Sequence, residues 1–192
     1  MKFYIDITLL PNAEIGLHFI WQKVYQQIHL ALVQMKDANG TAPIAAAFPE
    51  YSNEEHQLGK KLRLFAYEQS QLELLDIQKW LARLSDYVHI TQIREVPASV
   101  RGYACFSRLQ AKSSIERIAR RKARHLGIDE GKALQMLTKF KERKRSEPFI
   151  NLQSLSGGQT FHLFIAKKEV EQSVKGSFSL YGLSSTATTP WF

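Results

Sequence analysis

One basic stretch, residues 107–125, constrains this chain more than any other feature. Ser113 stands where a helix N-cap belongs, and Glu116 three residues on completes a capping box, in which each side chain satisfies an unpaired N–H of the first turn. A helix is therefore expected to begin at Ser113. On the helical period, Ile115, Ile118, Ala119 and Leu126 share one face, while Arg117, Arg120, Arg121 and Arg124 recur at i, i+3, i+4 and i+7 on the other. Such a helix packs one side on protein and turns a row of guanidinium groups outward.

The charge balance makes that row more than a solvated surface. Residues 108–145 hold 13 Lys/Arg and 4 Asp/Glu, whereas the rest of the chain holds 13 and 14, so all of the formal charge of +8 arises in this island. A solvated charged helix interleaves acids at i,i+4, and acids are scarce here. A basic island in a near-neutral body is expected to meet a polyanion through its phosphates. At 44% hydrophobic, the 192 residues suffice for a core in one domain or two small ones. Cys105 is the only cysteine, which leaves no disulfide framework or metal knuckle and fits a reducing cytoplasm. No run approaches the ~18 apolar residues of a membrane span, and Asp6 interrupts the apolar start that a signal peptide needs. A soluble, cytoplasmic protein with no membrane partner is expected.

Alternation over residues 3–10, closed by Pro11, predicts a first strand. Leu17, Ile20, Trp21, Val24, Ile28, Ala31, Leu32 and Met35 then keep helical spacing across residues 16–36, ahead of the turn-forming Asn39-Gly40. Residues 44–49 and 61–67 read as strands, 69–84 as a second helix, and 87–93 as a fourth strand. This βαββαβ order predicts a ferredoxin-like (RRM-like) domain over residues 1–95, with both helices on one face of an antiparallel sheet. Its strands lack the aromatic run of an RNA-recognition module, so the sheet is not the expected RNA platform. Residues 95–99 read as a linker, and residues 96–192 as a smaller α+β domain. That domain should hold a strand over 103–110 leading into the arginine helix, a helix over 129–143 capped by Asp129, and strands over 149–154 and 160–167. Ser156-Gly157-Gly158-Gln159 joins the last two as a hairpin, and residues 177–183 return to alternation.

No HExxH, acid cluster, Walker loop or Cys/His knuckle is present, so neither a metal site nor a cofactor is expected. RNA brings its own nucleophile, the 2′-hydroxyl. A ribonuclease then needs only a base, an orienting group and a donor for the scissile phosphate. Histidine, which ordinarily titrates near neutrality, suits the base role. There are six: His18, His29, His56, His89, His125 and His162. Spacing alone ranks them poorly. His29 falls at the margin of the long helix's apolar face, beside Tyr25, where a structural histidine half-buried against the sheet is the simpler reading. Gly157-Gly158 could present N–H groups to a phosphate or form an ordinary tight turn, and Ser154 and Tyr181 are ordinary taken singly.

Taken together, segments spread along the chain resemble the subtype I-F CRISPR repeat-processing endoribonucleases, which cut precursor CRISPR RNA. They are Ile28-His29-Leu30-Ala31-Leu32-Val33, Ser107-Arg108-Leu109-Gln110-Ala111-Lys112-Ser113, Gly158-Gln159-Thr160-Phe161-His162-Leu163-Phe164-Ile165, Tyr181-Gly182-Leu183-Ser184 and Pro190-Trp191-Phe192. The resemblance implies that His29 activates the 2′-hydroxyl, that Ser154 holds the nucleotide before the cut, and that Tyr181 orients the histidine. It implies Arg108 and Gln110 as readers of base edges at the foot of a repeat hairpin, in keeping with Arg–guanine and Gln–adenine geometry. Phe161 is implied to stack on the last base pair, and Lys112, Arg117, Arg120, Arg121, Arg124 and His125 to contact the stem. One family arginine falls on His125, or on Arg124 with the register moved by one, and Gly157 stands where the family has a threonine. The implied activity is metal-independent cleavage at the 3′ base of the stem, leaving a 2′,3′-cyclic phosphate. The processed crRNA is then retained by a protein that is monomeric when free and joins other subunits of a type I-F surveillance complex. The alternative is a non-catalytic hairpin-binding subunit of a CRISPR ribonucleoprotein. A DNA-binding regulator is a weaker reading, because the basic helix has no helix-turn-helix partner at short spacing.

Overall fold

A computed structural model of the chain describes residues 1–11, 13–110, 115–137, 146–154 and 157–192. The fold is mixed α+β with two antiparallel sheets. In the first, β1 (Phe3–Leu9), β2 (Ala45–Ala47), β3 (Lys61–Ala66) and β4 (Val88–Ile90) stand in the order β2-β3-β1-β4, and β5 (Arg94–Glu95) pairs with the start of β1. In the second, β6 (Gly102–Leu109), β7 (Phe149–Gln153), β8 (Thr160–Val170) and β9 (Thr189–Trp191) take the order β7-β8-β6-β9. The chain forms two compact units, Met1–Leu109 with Glu147–Phe192, and Gln110–Ser146. Both sheets belong to the first unit.

The alternation of β1 places Ile5, Ile7 and Leu9 in the core, but its other face is not solvated. Asp6 lies opposite Arg63 of β3, and its carboxylate accepts from Nε at 2.6 Å and Nη2 at 2.9 Å. The guanidinium lies 4.6 Å from the ring centre of Tyr4 and 4.1 Å from that of Phe192, two rings that meet edge to face, and it donates to the Phe192 carbonyl at 3.3 Å. A buried charge tolerates this setting because it is paired with a carboxylate and hydrogen-bonded.

The first helix, α1 (Leu17–Gln34), buries Ile20, Trp21, Val24, Tyr25, Ile28, Ala31 and Leu32, and it packs on both β1 and β7. No side chain caps it, no acid lies in its first turn and no base in its last. Tertiary packing of one apolar face therefore holds it, each fully buried Ile or Leu contributing about 1.5–3 kcal/mol.

The second expected helix is broken. Asp76 adopts a left-handed conformation (φ 44°, ψ 56°), splitting it into α2 (Gln69–Leu75) and α3 (Ile77–Trp80), with a 3₁₀ turn over Ala82–Tyr87. Leu72, Leu75 and Leu81 still reach the core, so the apolar period survives a break in the backbone. Glu95, read as the start of a linker, instead pairs with β1 together with Arg94. Residues 177–183 alternate without forming a strand: Phe178 makes one bridge to Ala42, and the chain then turns. Thr189–Trp191, with a proline at its centre, does form a strand, at the edge position where a missing N–H is tolerated.

In the second unit, α4 (Ile115–Leu126) and α5 (Glu130–Gln135) pack through Ala119, Ala123 and Ala133, flanked by Ile128 and Leu137. Gly127, at φ 64°, ends α4 in the left-handed geometry typical of a helix C-terminus. Asp129 caps α5 as expected, accepting from Gly131 N at 2.7 Å. Leu126, expected on the packed face, is 50% exposed, because the contact uses alanines that let the two backbones approach closely. The expected capping box of Ser113 with Glu116, Lys112, and positions 138–143 of the expected helix lie outside the described residues.

Candidate active site

Of the six histidines, His29 alone is half-buried, and the other five are exposed. It lies one helical turn beyond Tyr25 on α1, and the two side chains grip consecutive carbonyls of one distant segment. Tyr25 donates its hydroxyl to the Tyr181 carbonyl at 2.8 Å, and His29 Nδ1 lies 2.8 Å from the Leu180 carbonyl. A carbonyl only accepts, so Nδ1 carries the proton, and the neutral ring keeps its lone pair on Nε2. The Tyr181 ring stacks on the imidazole at 4.2 Å and 10°, which fixes the ring plane as well. Burial pushes the Tyr25 hydroxyl well above its ordinary pKa, with Tyr181 adding to the effect, so Tyr25 stays a neutral donor.

The segment they grip is itself held by local chemistry. Ser179 Oγ accepts from the N–H groups of Tyr181 and Leu183, and its carbonyl accepts from Gly182. Gly182 sits at φ 71° against β2, where its carbonyl accepts from Ala46 N at 2.8 Å; a Cβ on Gly182 would lie 2.9 Å from that nitrogen and 2.8 Å from Ala46 Cβ. Only glycine suits both the turn and the approach. Leu183 is buried, Ser184 N donates to the Phe106 carbonyl, and the buried Cys105 thiol donates to the Ser184 carbonyl at 3.0 Å.

His29 opens into a cavity of about 290 Å³ lined also by Gln26, Leu152, Gln153, Ser154, Phe161 and Tyr181. Ser154 follows β7: its N–H donates to the Gln159 carbonyl, its carbonyl accepts from Gly158, and its Oγ accepts from Gly157 N at 3.3 Å. The N–H groups of both glycines thus close the turn around Ser154. Phe161 comes from the facing end of β8. The Arg108 guanidinium, from β6, lies 5.5 Å from the ring centres of both Phe161 and Tyr181. Residues far apart in sequence, His29, Arg108, Ser154, Phe161 and Tyr181, are thereby brought together. Gln26 and Gln153 are additions that spacing partly foretold, since Gln26 precedes His29 by three positions and shares its face. Gln26 Oε1 accepts from Gln153 N at 3.4 Å, a contact across 127 residues that no local signal announces.

On the second unit, Arg117, Arg120, Arg121, Arg124 and His125 are exposed and line one groove of α4. Arg120 lies 3.5 Å from Glu130, an exposed pair worth at most about 1 kcal/mol. Gln110 is exposed and belongs to this unit. Among the described residues no group of three or more His, Cys, Asp or Glu could hold a metal ion, and no helix is long and apolar enough to cross a membrane.

Comparison with known proteins accords with this assembly. Residues 4–192 match the family described as CRISPR-associated protein (Cas_Csy4). The chain is 34% identical over 193 aligned residues to the CRISPR-associated endonuclease Cas6/Csy4 of Escherichia coli (strain UTI89 / UPEC), with 100% of both chains covered. It is 33% identical over 193 residues to the protein of the same name from Pseudomonas aeruginosa (strain UCBPP-PA14), again over 100% of both. On a family match spanning nearly every residue and full-length relatives above 30% identity, the chain belongs to the Cas6/Csy4 family of CRISPR-associated endonucleases.

Proposed function

We propose that this protein is a metal-independent endoribonuclease that binds the repeat hairpin of precursor CRISPR RNA, cuts at the 3′ base of the stem and retains the crRNA. The observation that carries the reading is the convergence of His29, Ser154, Phe161 and Tyr181 on one cavity, with the imidazole held through Nδ1 and by the stacked ring, which leaves Nε2 as the nitrogen available to act as a base. In this reading Nε2 takes the proton of the 2′-hydroxyl before the cut. O2′ attacks phosphorus, the P–O5′ bond breaks, and the departing 5′-oxygen takes up a proton, giving a 2′,3′-cyclic phosphate and a 5′-hydroxyl. The Leu180 carbonyl stabilises the imidazolium that forms, Tyr181 positions the ring by stacking, and Ser154 holds the attacking ribose.

Phe161 stacks on the last base pair of the stem, and Arg108 and Gln110 read base edges beside it. Lys112, Arg117, Arg120, Arg121, Arg124 and His125 neutralise stem phosphates; a short hairpin is open to them because its deep groove widens at the stem ends. The antiparallel order β2-β3-β1-β4, with α1 after β1 and α2 after β3, supports a ferredoxin-like domain over residues 1–95, followed by an RNA-binding domain over 96–192. The protein works in the cytoplasm, monomeric until it joins the other subunits of a type I-F surveillance complex through its bound crRNA. Incubation with a repeat hairpin in EDTA, with mapping of both product ends, tests the reading. Cyclic phosphate and 5′-hydroxyl ends are expected. Binding without cleavage would select a non-catalytic hairpin-holding subunit instead.

A further inference from the structure

Attack of O2′ builds negative charge on the non-bridging oxygens of the scissile phosphate, and a donor fixed against one of them lowers the barrier. Among the described residues, the cavity around His29 is lined by no Lys or Arg, so a neutral group has to supply that donor. Most candidates on its wall are already engaged. Gln153 Nε2 donates to the Gly158 carbonyl at 3.1 Å, and the N–H groups of Ser154, Gly157 and Gly158 close the turn on Gln159 and Ser154. Gln26, half-buried on α1, differs. Its Oε1 accepts from Gln153 N at 3.4 Å. A backbone N–H only donates, so the oxygen belongs to that contact, and Nε2 keeps two N–H groups that no bond takes among the described residues. The carboxamide is thereby tethered at the residue preceding Ser154, one helical turn before His29.

We propose that Gln26 is a catalytic residue of this chain, its Nε2 donating to a non-bridging oxygen of the scissile phosphate. The inference rests on the RNA-cleaving function proposed above. His29 takes the proton from O2′, Ser154 holds the ribose, and Gln26 meets the phosphate that lies between them. No proton or bond changes hands at Gln26. Its hydrogen bond strengthens as the oxygen gains charge, so it favours the transition state over the bound substrate and raises the rate rather than the affinity.

Single-turnover cleavage of a repeat hairpin at saturating protein tests this. Gln26→Ala should cut about 100-fold more slowly, the low end for loss of one preorganised donor, at unaltered hairpin affinity. Gln26→Glu keeps an acceptor for Gln153 N but has no N–H to offer, and it should lose at least as much. A second readout separates contact with the phosphate from support of the cavity. Sulfur is a weaker acceptor than oxygen, so the wild type should cut the two phosphorothioate diastereomers at the scissile position at different rates, and Gln26→Ala should bring those rates together. Gln26→Ala cutting at the wild-type rate, or a defect that disappears once binding is saturated, would overturn the inference and leave the cleavage function standing. A slowed variant that keeps the wild-type diastereomer ratio would overturn it too, reducing Gln26 to a support. So would a ratio that collapses in Tyr181→Phe but not in Gln26→Ala, which would make the Tyr181 hydroxyl the donor. Absence of cleavage by the wild type would overturn the function, and the inference with it.

Discussion

The cavity around His29 and the arginine row of α4 both offer groups that can meet RNA, yet the fold treats them in opposite ways. Around His29, side chains are held by backbone: one imidazole nitrogen on the Leu180 carbonyl, the ring clamped by Tyr181, the Ser154 hydroxyl tied to Gly157. On α4, the guanidinium groups stand exposed on a helix whose own packing rests on three alanines. A pinned group has one geometry and suits a reaction; an exposed, long side chain adapts to a phosphate wherever the stem places it. Substitutions in the first region should therefore change rate or folding, and those in the second should change affinity and its salt dependence.

The largest expected effect strikes the scaffold of the first region. Asp6→Ala leaves the Arg63 charge buried and uncompensated, at a cost of about 3–5 kcal/mol measured by urea denaturation. A loss below about 1 kcal/mol would show that the pair does not hold this unit together. In the second region, Arg120→Ala or Arg121→Ala should weaken hairpin binding and flatten the dependence of log affinity on log salt by about one unit each, with the single-turnover cleavage rate at saturating protein unchanged. A rate defect without a change in salt slope would erase the distinction. The smallest effect is Tyr25→Phe, which unpairs the Tyr181 carbonyl and should cost about 1 kcal/mol. Folding raises the Tyr25 pKa above its ordinary value of about 10, so the neutral hydroxyl's contribution is whole below that pH and is lost progressively as pH rises from there toward the raised pKa of the folded state. Stability of the wild type should fall above about pH 10 more steeply than that of Tyr25→Phe.

The two regions also differed in how far the sequence disclosed them. The arginine row was legible because charge and helical spacing are local, and exposure on α4 requires nothing from elsewhere in the chain. His29 was not, since its spacing on α1 is equally that of a boundary core residue; what distinguishes it is a carbonyl and a ring 151 and 152 positions away. Only the likeness of the dispersed segments to a known family pointed there. The break at Asp76 escaped notice because the leucines on either side keep their apolar period, and β9 escaped because its proline speaks against a strand except at an edge. The Ser177–Leu183 alternation misled for the opposite reason. Its side chains alternate, but Ser179 and Gly182 bend the backbone into the turn that carries Tyr181.

The most direct test of the division between cutting and holding is the single-turnover cleavage rate of His29→Ala on a repeat hairpin, measured at protein concentrations that saturate the RNA. A loss of about 10²–10⁴-fold, the usual contribution of a positioned general base, is expected at unaltered hairpin affinity. Cleavage at the wild-type rate, or a defect that disappears once binding is saturated, would contradict it.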